Sequence, residues 1–184
     1  MPDRQPFLDP SHWLDFVGEA MRTAQLKHAL IGGHAVIGWS LPRQTDDYDF
    51  IVAPVSGAIA KVRASFEGEG LRISRLHNPE AASGPDFLQL KTENGAFQVD
   101  LQTAKTQYQE LVIRRAVTDA RYGISVATPE DLIVLKLLAM RSQDQRDIAV
   151  LLEGLSEELD WPYIELWANQ WDVTDKLRIF RPTP

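Results

Sequence analysis

The chain has 184 residues, 44% of them hydrophobic and 24% charged, with a formal net charge of −7 and no cysteine. These values are typical of a globular protein with one well-packed domain; they exclude disulfides and thiolate metal sites, and the absence of a signal-peptide pattern or a long apolar run predicts a cytoplasmic protein without membrane contact. The acidic balance argues against a chain that holds nucleic acid by overall attraction to phosphates, although a local basic patch stays open.

Helix and strand patterns alternate in the first half of the chain. Trp13, Val17 and Met21 recur at helical spacing and predict a first helix. Asp9 is its expected N-cap and Pro10 its first residue. The patterns that follow predict a strand over 28–31, a helix from Gly33 or His34 to Pro42, a strand over 47–53 and a third helix over 55–70.

The second half begins with a predicted β-hairpin and continues with helices. Two alternating runs, "DFLQLKT" and "FQVDLQ", flank Asn94-Gly95, the preferred pair for a two-residue type I′ turn. After one more strand at "YGISVAT", Thr128 as cap and Pro129 start a helix, and "RSQDQRD" opens the next. We therefore expect an α+β protein with a mixed sheet, an α/β core over 1–127 and a helical C-terminal part over 128–184 packed on it.

Three aspartates mark a candidate site. Asp47 and Asp49 project from one face of their predicted strand, while Tyr48 points into the core. Carboxylates this close repel unless a cation lies between them, and Mg²⁺ takes one or two carboxylates together with phosphate oxygens. Asp100, on the outward face of the hairpin, would reach the same cation if the strands are neighbours, which suits a two-metal site. The alternative is that these acids only form a turn, a cap and a solvent-facing surface.

A strand, a glycine pair and a helix together form an anion-binding arrangement. Glycine lets the backbone approach a ligand, and the helix N-terminus offers unbonded N–H groups and a partial positive charge. Gly32 and Gly33 therefore predict a phosphate site, and His34 in the same loop is either a ligand or a packed side chain. Arg43 is available either to a phosphate or to a salt bridge with the neighbouring aspartates.

Lys136 is the second candidate cation, because it lies among leucines where an unpaired ammonium group is costly to bury. Either its stem reaches the surface or its ammonium group reaches an anion. Asp144 and Asp147 open the next helix and either orient Lys136 or Arg141 or cap that helix; capping and support are favoured over chemistry.

"IGG", "RQTDDYDFIV" and the later strand aspartate together resemble the signature of the nucleotidyltransferase superfamily, which has the DNA polymerase β-like fold. The version with Arg-x-Thr before Asp-x-Asp is similar to minimal bacterial nucleotidyltransferases that include abortive-infection type toxins. The segment "TPEDLIVLKLLAMRSQDQRDIAVLL" resembles their helical region, so the likeness covers about residues 25–155. It implies a nucleotidyltransferase-like sheet flanked by helices, in which Asp47, Asp49 and Asp100 bind Mg²⁺ and Asp100 activates the acceptor hydroxyl.

The resemblance also implies a nucleotide site for ATP or another NTP. Gly32 and Gly33 would hold the triphosphate, Arg43 and Lys136 would neutralise it, and the remaining candidates in this group are His34 and Thr45. Two positions depart from the pattern. His34 stands where a small residue or serine is frequent, and Gln143 stands where a lysine commonly precedes Asp144.

The leading hypothesis is a metal-dependent transferase that moves a nucleoside monophosphate from an NTP to a hydroxyl of a tRNA, a protein or a small molecule. If the toxin analogy holds, an antitoxin protein is the partner. The alternatives are a catalytically inactive nucleotide-binding or interaction module of the same fold, and an unrelated α+β structural protein. Trp161, Trp167 and Trp171 either line an acceptor pocket or pack in the core, and packing is favoured.

Overall fold

A computed structural model describes residues 6–8, 12–40, 44–55, 57–67, 70–81 and 84–181. Within these residues the chain forms eight α-helices and one seven-stranded mixed sheet. The predicted α+β class with a mixed sheet and helices at the C-terminal end is confirmed. None of the described helices is both long and apolar enough to cross a bilayer.

The strands and helices follow one another without long interruptions. The strands are β1 (His28–Ile31), β2 (Asp47–Val52), β3 (Leu71–His77), β4 (Phe87–Thr92), β5 (Gln98–Thr103), β6 (Val117–Asp119) and β7 (Ile124–Val126). The helices are α1 (His12–Thr23), α2 (Gly32–Trp39), α3 (Ala58–Phe66), α4 (Gln107–Arg115), α5 (Pro129–Ala139), α6 (Ser142–Leu155), α7 (Trp161–Gln170) and α8 (Thr174–Phe180).

The order of the strands across the sheet is β3-β4-β5-β2-β1-β7-β6. β2 runs parallel to β5, and β1 runs parallel to β7, whereas the other neighbours are antiparallel. β2 is therefore the central strand, and it has β1 on one side and β5 on the other. This order places two segments that are far apart in sequence, residues 47–52 and 98–103, directly side by side.

The core lies on one face of β2 and β5. Alternation along these strands sends Phe50, Val99 and Leu101 to that face, where all three are buried. Trp13 of α1 stacks on Phe97, with ring centroids 4.1 Å apart, so α1 covers this face. The opposite face of the same two strands carries the aspartates.

The helical signals of the C-terminal part are confirmed at the start of α5. The Thr128 side chain accepts a hydrogen bond from the backbone N–H of Asp131, and Pro129 occupies the first helical position. Met140 adopts a left-handed conformation (φ +52°) and ends α5. The chain then begins α6, so the long helical pattern forms two helices.

The turn of the β4–β5 hairpin differs from the predicted two-residue type I′ turn. The backbone N–H of Thr92 donates to the carbonyl of Phe97 at 3.1 Å, so residues 93–96 form a longer loop. Asn94 Oδ1 accepts hydrogen bonds from Thr92 Oγ1 at 2.8 Å and from Ala96 N at 3.1 Å. These side-chain hydrogen bonds stabilise the wider loop, which the Asn-Gly pair alone does not indicate.

The sequence patterns do not predict β3, α4 or β6. β3 is an edge strand whose pairing with β4 shifts register between Ile73 and Arg75, so its apolar alternation is interrupted. α4 begins with a capping box in which Thr106 and Gln109 each bind the other's backbone N–H, a signal that is present in the sequence. The predicted start of the first helix at Asp9 and Pro10, and the predicted stop at Pro42, lie outside the described residues.

Candidate active site

Strands β2 and β5 bring three aspartates to one region of the sheet. Asp49 is paired with Asp100, and Asp47 is paired with Gln98, in parallel register. Because paired residues of neighbouring strands share a face, the three carboxylates project to the same side. Asp49 and Asp100 are half-buried, and Asp47 is exposed. We call Asp47, Asp49 and Asp100 the acid corner; the structure brings the three predicted residues together, and their chemical roles stay a prediction.

Charges of the described residues offset the negative charge of the acid corner only in part. Burial, together with the negative charges of Asp100 and Asp47, raises the pKa of the Asp49 carboxyl to about 6. The positive charges of Lys136 and Arg141 act in the opposite direction without cancelling this effect. A cation placed between these carboxylates would relieve both the repulsion and the cost of burying a charge.

Gly32 provides space beside Asp49. A Cβ atom at this position would lie 2.1 Å from Asp49 Oδ2, and the backbone has a φ of +67°, which favours glycine. Gly32 is also the first residue of α2, so the unbonded N–H groups of this helix end are next to the acid corner. The predicted neighbourhood of glycine pair and aspartates is therefore present in the fold.

Asp100 is held by glutamines from two strands. Gln98 Nε2 donates to Asp100 Oδ1 at 3.0 Å, and Gln89, paired with Asp100 across β4 and β5, also hydrogen-bonds its carboxylate. Ser74 Oγ donates to Gln89 Oε1 at 3.1 Å, which leaves the amide nitrogen of Gln89 to face Asp100. Burial raises the pKa of Asp100, whereas the two glutamine hydrogen bonds lower it. Sequence reasoning missed Gln89; its one signal is a polar residue inside a largely apolar strand.

A second set of charged residues lies on α5 and at the start of α6, and its cations act on Asp49 through their charge. Lys136 is buried, and its Nζ donates to Asp147 Oδ2 at 2.6 Å and to Asp144 Oδ1 at 3.4 Å. Asp144 Oδ2 also accepts from Arg141, at 3.0 Å from the backbone N and 2.8 Å from Nε. We call Lys136, Arg141, Asp144 and Asp147 the ion cluster. Asp144 therefore both caps α6 and supports Lys136, and the lysine reaches protein carboxylates rather than the surface.

The ion cluster has the opposite electrostatic character to the acid corner. Burial alone would raise the pKa of Asp144, but hydrogen bonds from Arg141 and the charge of Lys136 bring it below its ordinary value. Gln143, at the position that departs from the superfamily pattern, donates its Nε2 to Asp147 Oδ1 at 2.9 Å. This glutamine therefore belongs to the support of Lys136.

The other predicted nucleotide-binding residues have different surroundings. Gly33 is buried in the first turn of α2. His34 stacks on Tyr48, with ring centroids 3.8 Å apart and an interplanar angle of 6°, so its ring packs against β2. Thr45 is half-buried two residues before β2, and Arg43 lies outside the described residues. The three C-terminal tryptophans, Trp161, Trp167 and Trp171, pack against the hydrophobic core, as favoured from the sequence.

The acid corner fits a hard divalent cation that binds together with phosphates. In the part of the chain that the structure describes, no three His, Asp or Glu side chains are already grouped to hold one metal ion. Mg²⁺, however, is usually bound through one or two carboxylates and substrate phosphates rather than in an all-protein cage. Asp49 and Asp100 supply such a pair, and the exposed side chain of Asp47 can turn toward them. The oxygen donors and the raised pKa of Asp49 are both consistent with this type of cation.

Comparison with known proteins gives a match to one protein family. Residues 16–178 match the model of a family described as "Nucleotidyltransferase of unknown function (DUF6036)". No curated protein sequence matches the chain significantly.

Solved structures with a similar fold include three proteins of low sequence identity. JHP933 from Helicobacter pylori has a TM-score of 0.53 and 16% identity, over 92% of this chain and 76% of that one. The antibiotic-resistance factor ANT(2″)-Ia has a TM-score of 0.56 and 13% identity, over 91% and 95% of the two chains. The lincosamide antibiotic adenylyltransferase LnuA has a TM-score of 0.53 and 17% identity, over 79% and 98%. At such identities the likeness concerns the fold.

Proposed function

Since this chain belongs to the DUF6036 family of nucleotidyltransferases, we propose that it moves a nucleoside monophosphate from an NTP, with ATP as the first candidate, to an acceptor hydroxyl and releases pyrophosphate. The observation that carries the proposal is the pairing of Asp49 with Asp100 directly beside Gly32. This arrangement combines a place for a cation with a place where backbone approaches a phosphate.

Asp47, Asp49 and Asp100 are the residues that would hold Mg²⁺. When bound, the divalent ion neutralises phosphate charge and stabilises the charge that develops on the attacking and leaving oxygens. The raised pKa of Asp49 supports this assignment, because burial and like charges dominate there over the more distant charges of Lys136 and Arg141. Loss of one of these carboxylates removes charge stabilisation at the α-phosphate.

The remaining residues position the reactants. Asp100, held by Gln98 and Gln89, accepts the proton of the acceptor hydroxyl as its oxygen attacks the α-phosphorus. The backbone at Gly32 and Gly33 contacts the triphosphate, and Arg43 and Lys136 neutralise it in this proposal. His34 and Thr45 complete the nucleotide side of the site. Lys136 acts on the site through its charge, since Asp147 and Asp144 hold its ammonium group.

The proposal also concerns the acceptor and the biological role of the protein. A tRNA end, a protein side chain and a small hydroxylated molecule are the three acceptor classes. If the protein is the toxin of a toxin–antitoxin pair, producing it alone arrests growth, and co-production of an antitoxin restores growth. Normal growth of the producing cells favours an enzyme that modifies a small molecule.

The experiment that tests the proposal is incubation of the protein with each α-labelled NTP, Mg²⁺ and a cell extract. We expect one class of molecule to become labelled, and we expect Asp49→Asn to reduce labelling at least ~100-fold. The matched control is Asp175→Asn, which makes the same substitution at an exposed aspartate on α8. Equal labelling by wild type and Asp49→Asn would contradict the proposal, and NTP binding without transfer would favour the inactive module.

A further inference from the structure

The sheet face next to Asp100 continues onto β4 and β3 as an exposed, polar surface. Its residues lie on the same side as the acid corner, because β4 is paired with β5 and β3 with β4. On the opposite side of these strands the side chains of Leu88, Leu90 and Leu101 are buried in the core. Most of the outward residues are polar or charged, namely Arg72, Ser74, Arg75, His77, Gln89, Lys91, Gln98 and Gln102, and the one apolar residue among them is the half-buried Phe87, which is paired with Gln102.

Two cations on this surface form no direct ion pair with a described side chain. Arg75 is exposed, and the half-buried Lys91 acts on the Asp100 carboxylate through its charge. A third cation, Arg72, pairs with Glu93 at 3.2 Å, but both side chains are largely exposed and such a pair contributes little. In a chain with a net charge of −7, a positive surface beside the acid corner is a local reversal of the overall charge.

The register places these cations at short range from Asp100. Arg75 is paired with Gln89, and Gln89 is paired with Asp100. The backbones of Arg75 and Asp100 are therefore two strand spacings, about 10 Å, apart. Lys91 is paired with Gln98, two residues before Asp100, and its charge lowers the pKa of Asp100. The register shift at Ser74 turns both Ser74 and Arg75 to this face, as bulges at sheet edges commonly do.

We propose that this surface binds the sugar-phosphate backbone of a nucleic-acid strand whose 3′-terminal hydroxyl lies at Asp100 and is the acceptor. The proposal rests on the function proposed above and names its substrate class. Arg75 and Lys91 contact phosphates upstream of the terminal nucleotide, while Gln98 and Gln102 offer hydrogen bonds to sugars and phosphates. A polycationic acceptor such as an aminoglycoside gains no attraction from these two side chains.

The transfer step needs no reactant beyond the NTP, the strand and the groups already assigned. The 3′ oxygen forms a bond to the α-phosphorus of the NTP, and the bond from that phosphorus to the α–β bridging oxygen breaks. Pyrophosphate leaves with the electron pair of that bond, and the proton of the 3′ hydroxyl passes to Asp100. The strand is longer by one nucleotide after the step.

The test compares the full-length wild type with Arg75→Ala/Lys91→Ala. The matched control is Lys27→Ala/Arg121→Ala, which also removes two exposed cations. Lys27 directly precedes β1, and Arg121 lies in the connection between β6 and β7 at the opposite edge of the sheet. Binding of fluorescent single-stranded RNA and DNA oligonucleotides is measured by anisotropy over a salt series. Calorimetry with ATP and Mg²⁺ measures nucleotide binding, and thermal unfolding verifies that all three proteins are folded.

We expect the wild type and the control to bind at least one oligonucleotide, and the Arg75→Ala/Lys91→Ala variant to bind it at least ~10-fold more weakly. We expect its slope of log Kd against log salt to be smaller by about 1.4, which corresponds to two lost phosphate contacts on a single strand. Nucleotide binding stays unchanged in both variants. With labelled ATP, strands ending in a 3′ hydroxyl become labelled and strands ending in a 3′ phosphate do not.

The proposal is overturned if neither oligonucleotide binds, if both double variants bind as tightly as the wild type, or if an aminoglycoside added to the transfer reaction is labelled in place of the strand. In each of these cases, normal ATP binding and transfer to another acceptor leave the proposed nucleotidyltransferase activity intact. Loss of transfer to every acceptor contradicts that activity itself, so the two failures are distinguishable.

Discussion

The acid corner and the ion cluster use the same residue type in opposite ways. In the ion cluster, the carboxylates of Asp144 and Asp147 contact Lys136, and the pKa of Asp144 falls below its ordinary value. In the acid corner, Asp49 faces Asp100 with no such partner among the described residues, and its pKa rises to about 6. Within the described part of the chain, the carboxylates of the ion cluster contact cations and those of the acid corner do not.

This difference separates structural carboxylates from those available for chemistry. Buried charges that are paired and hydrogen-bonded hold α5 and α6 together and need no ligand. Buried charges that repel one another reduce the stability of the metal-free protein, and such groups concentrate at functional sites. The contrast predicts that neutralising Asp49 and neutralising Asp147 have opposite effects on stability.

The largest expected effect is that of Asp49→Asn on activity. This change removes one negative oxygen from the acid corner, and nucleotide transfer should fall at least ~100-fold because charge at the α-phosphate is no longer stabilised. The measurement is transfer of label from an α-labelled NTP at saturating Mg²⁺. Transfer within threefold of the wild-type rate would contradict the role of the acid corner.

Asp49→Asn should also raise the stability of the metal-free protein. Because folding raises the pKa of Asp49 from 3.8 to about 6, the ionised group opposes folding at pH 8, and the protonated group does not. The gain on substitution is up to about 3 kcal/mol at pH 8 and shrinks as the pH falls from 6 toward 4. Urea unfolding in EDTA at pH 8 and pH 5 measures it. A variant that is less stable than the wild type at pH 8 would show that the carboxylate is compensated after all.

Asp147→Ala should lower stability, in contrast to Asp49→Asn. Lys136 would keep only the longer contact to Asp144, and an under-compensated buried ammonium group costs about 3 kcal/mol. The double variant Lys136→Met/Asp147→Leu should recover most of this loss. Asp175→Ala, in an exposed pair with Arg178, serves as the control and should cost less than about 0.5 kcal/mol. Equal effects of Asp147→Ala and Asp175→Ala would remove the distinction between the two regions.

Gly32→Ala tests the close approach of backbone to the acid corner. Gly95 has almost the same backbone angle, φ +68° against +67°, but a Cβ there has nothing within 4 Å. Gly95→Ala should therefore cost only the strain of the left-handed conformation, about 1–2 kcal/mol. Gly32→Ala should cost this strain and also displace Asp49, with transfer reduced about 10-fold or more while Gly95→Ala stays active. Equal activity of the two variants would show that the space at Gly32 is not needed.

Gln89→Leu should have the smallest effect of these substitutions. Without the hydrogen bond from Gln89, the pKa of Asp100 rises further, so a larger fraction of this carboxyl is protonated at low pH. We expect transfer to fall about 3–10-fold at pH 6 and less at pH 8, with Ser74→Ala showing the same trend more weakly. Gln170→Leu, which changes an exposed glutamine at the end of α7, is the control. A loss that is independent of pH would indicate a purely structural role for Gln89.

The outward orientation of each aspartate in the acid corner could be predicted because its signal is local. Alternation turns Asp47 and Asp49 outward on β2 and Asp100 outward on β5, and the glycine pair indicates a strand that turns into a helix. The pairing of β2 with β5, which brings Asp49 to Asp100, is a condition of the prediction and is supplied by the fold. The cap at Thr128 and the ion partners of Lys136 also follow from short-range spacing.

The support of the acid corner could not be predicted, because it depends on register between distant strands. Gln89 contacts Asp100 only because β4 pairs with β5 in one register, and Ser74 reaches Gln89 only because β3 is shifted by a bulge. The exposed position of Arg75 has the same origin. The wider loop at Asn94 depends on the side chain of Thr92, which competes with the turn that Asn-Gly favours.

The central claim is that Asp47, Asp49 and Asp100 bind a common divalent cation with the nucleotide. The most direct measurement is a crystal structure with Mn²⁺ and a non-hydrolysable NTP analogue, in which anomalous scattering locates the ions. We expect an ion coordinated by carboxylate oxygens of these residues and by a phosphate oxygen, beside Gly32. A nucleotide and ion bound elsewhere, with the three carboxylates uncoordinated, would contradict it.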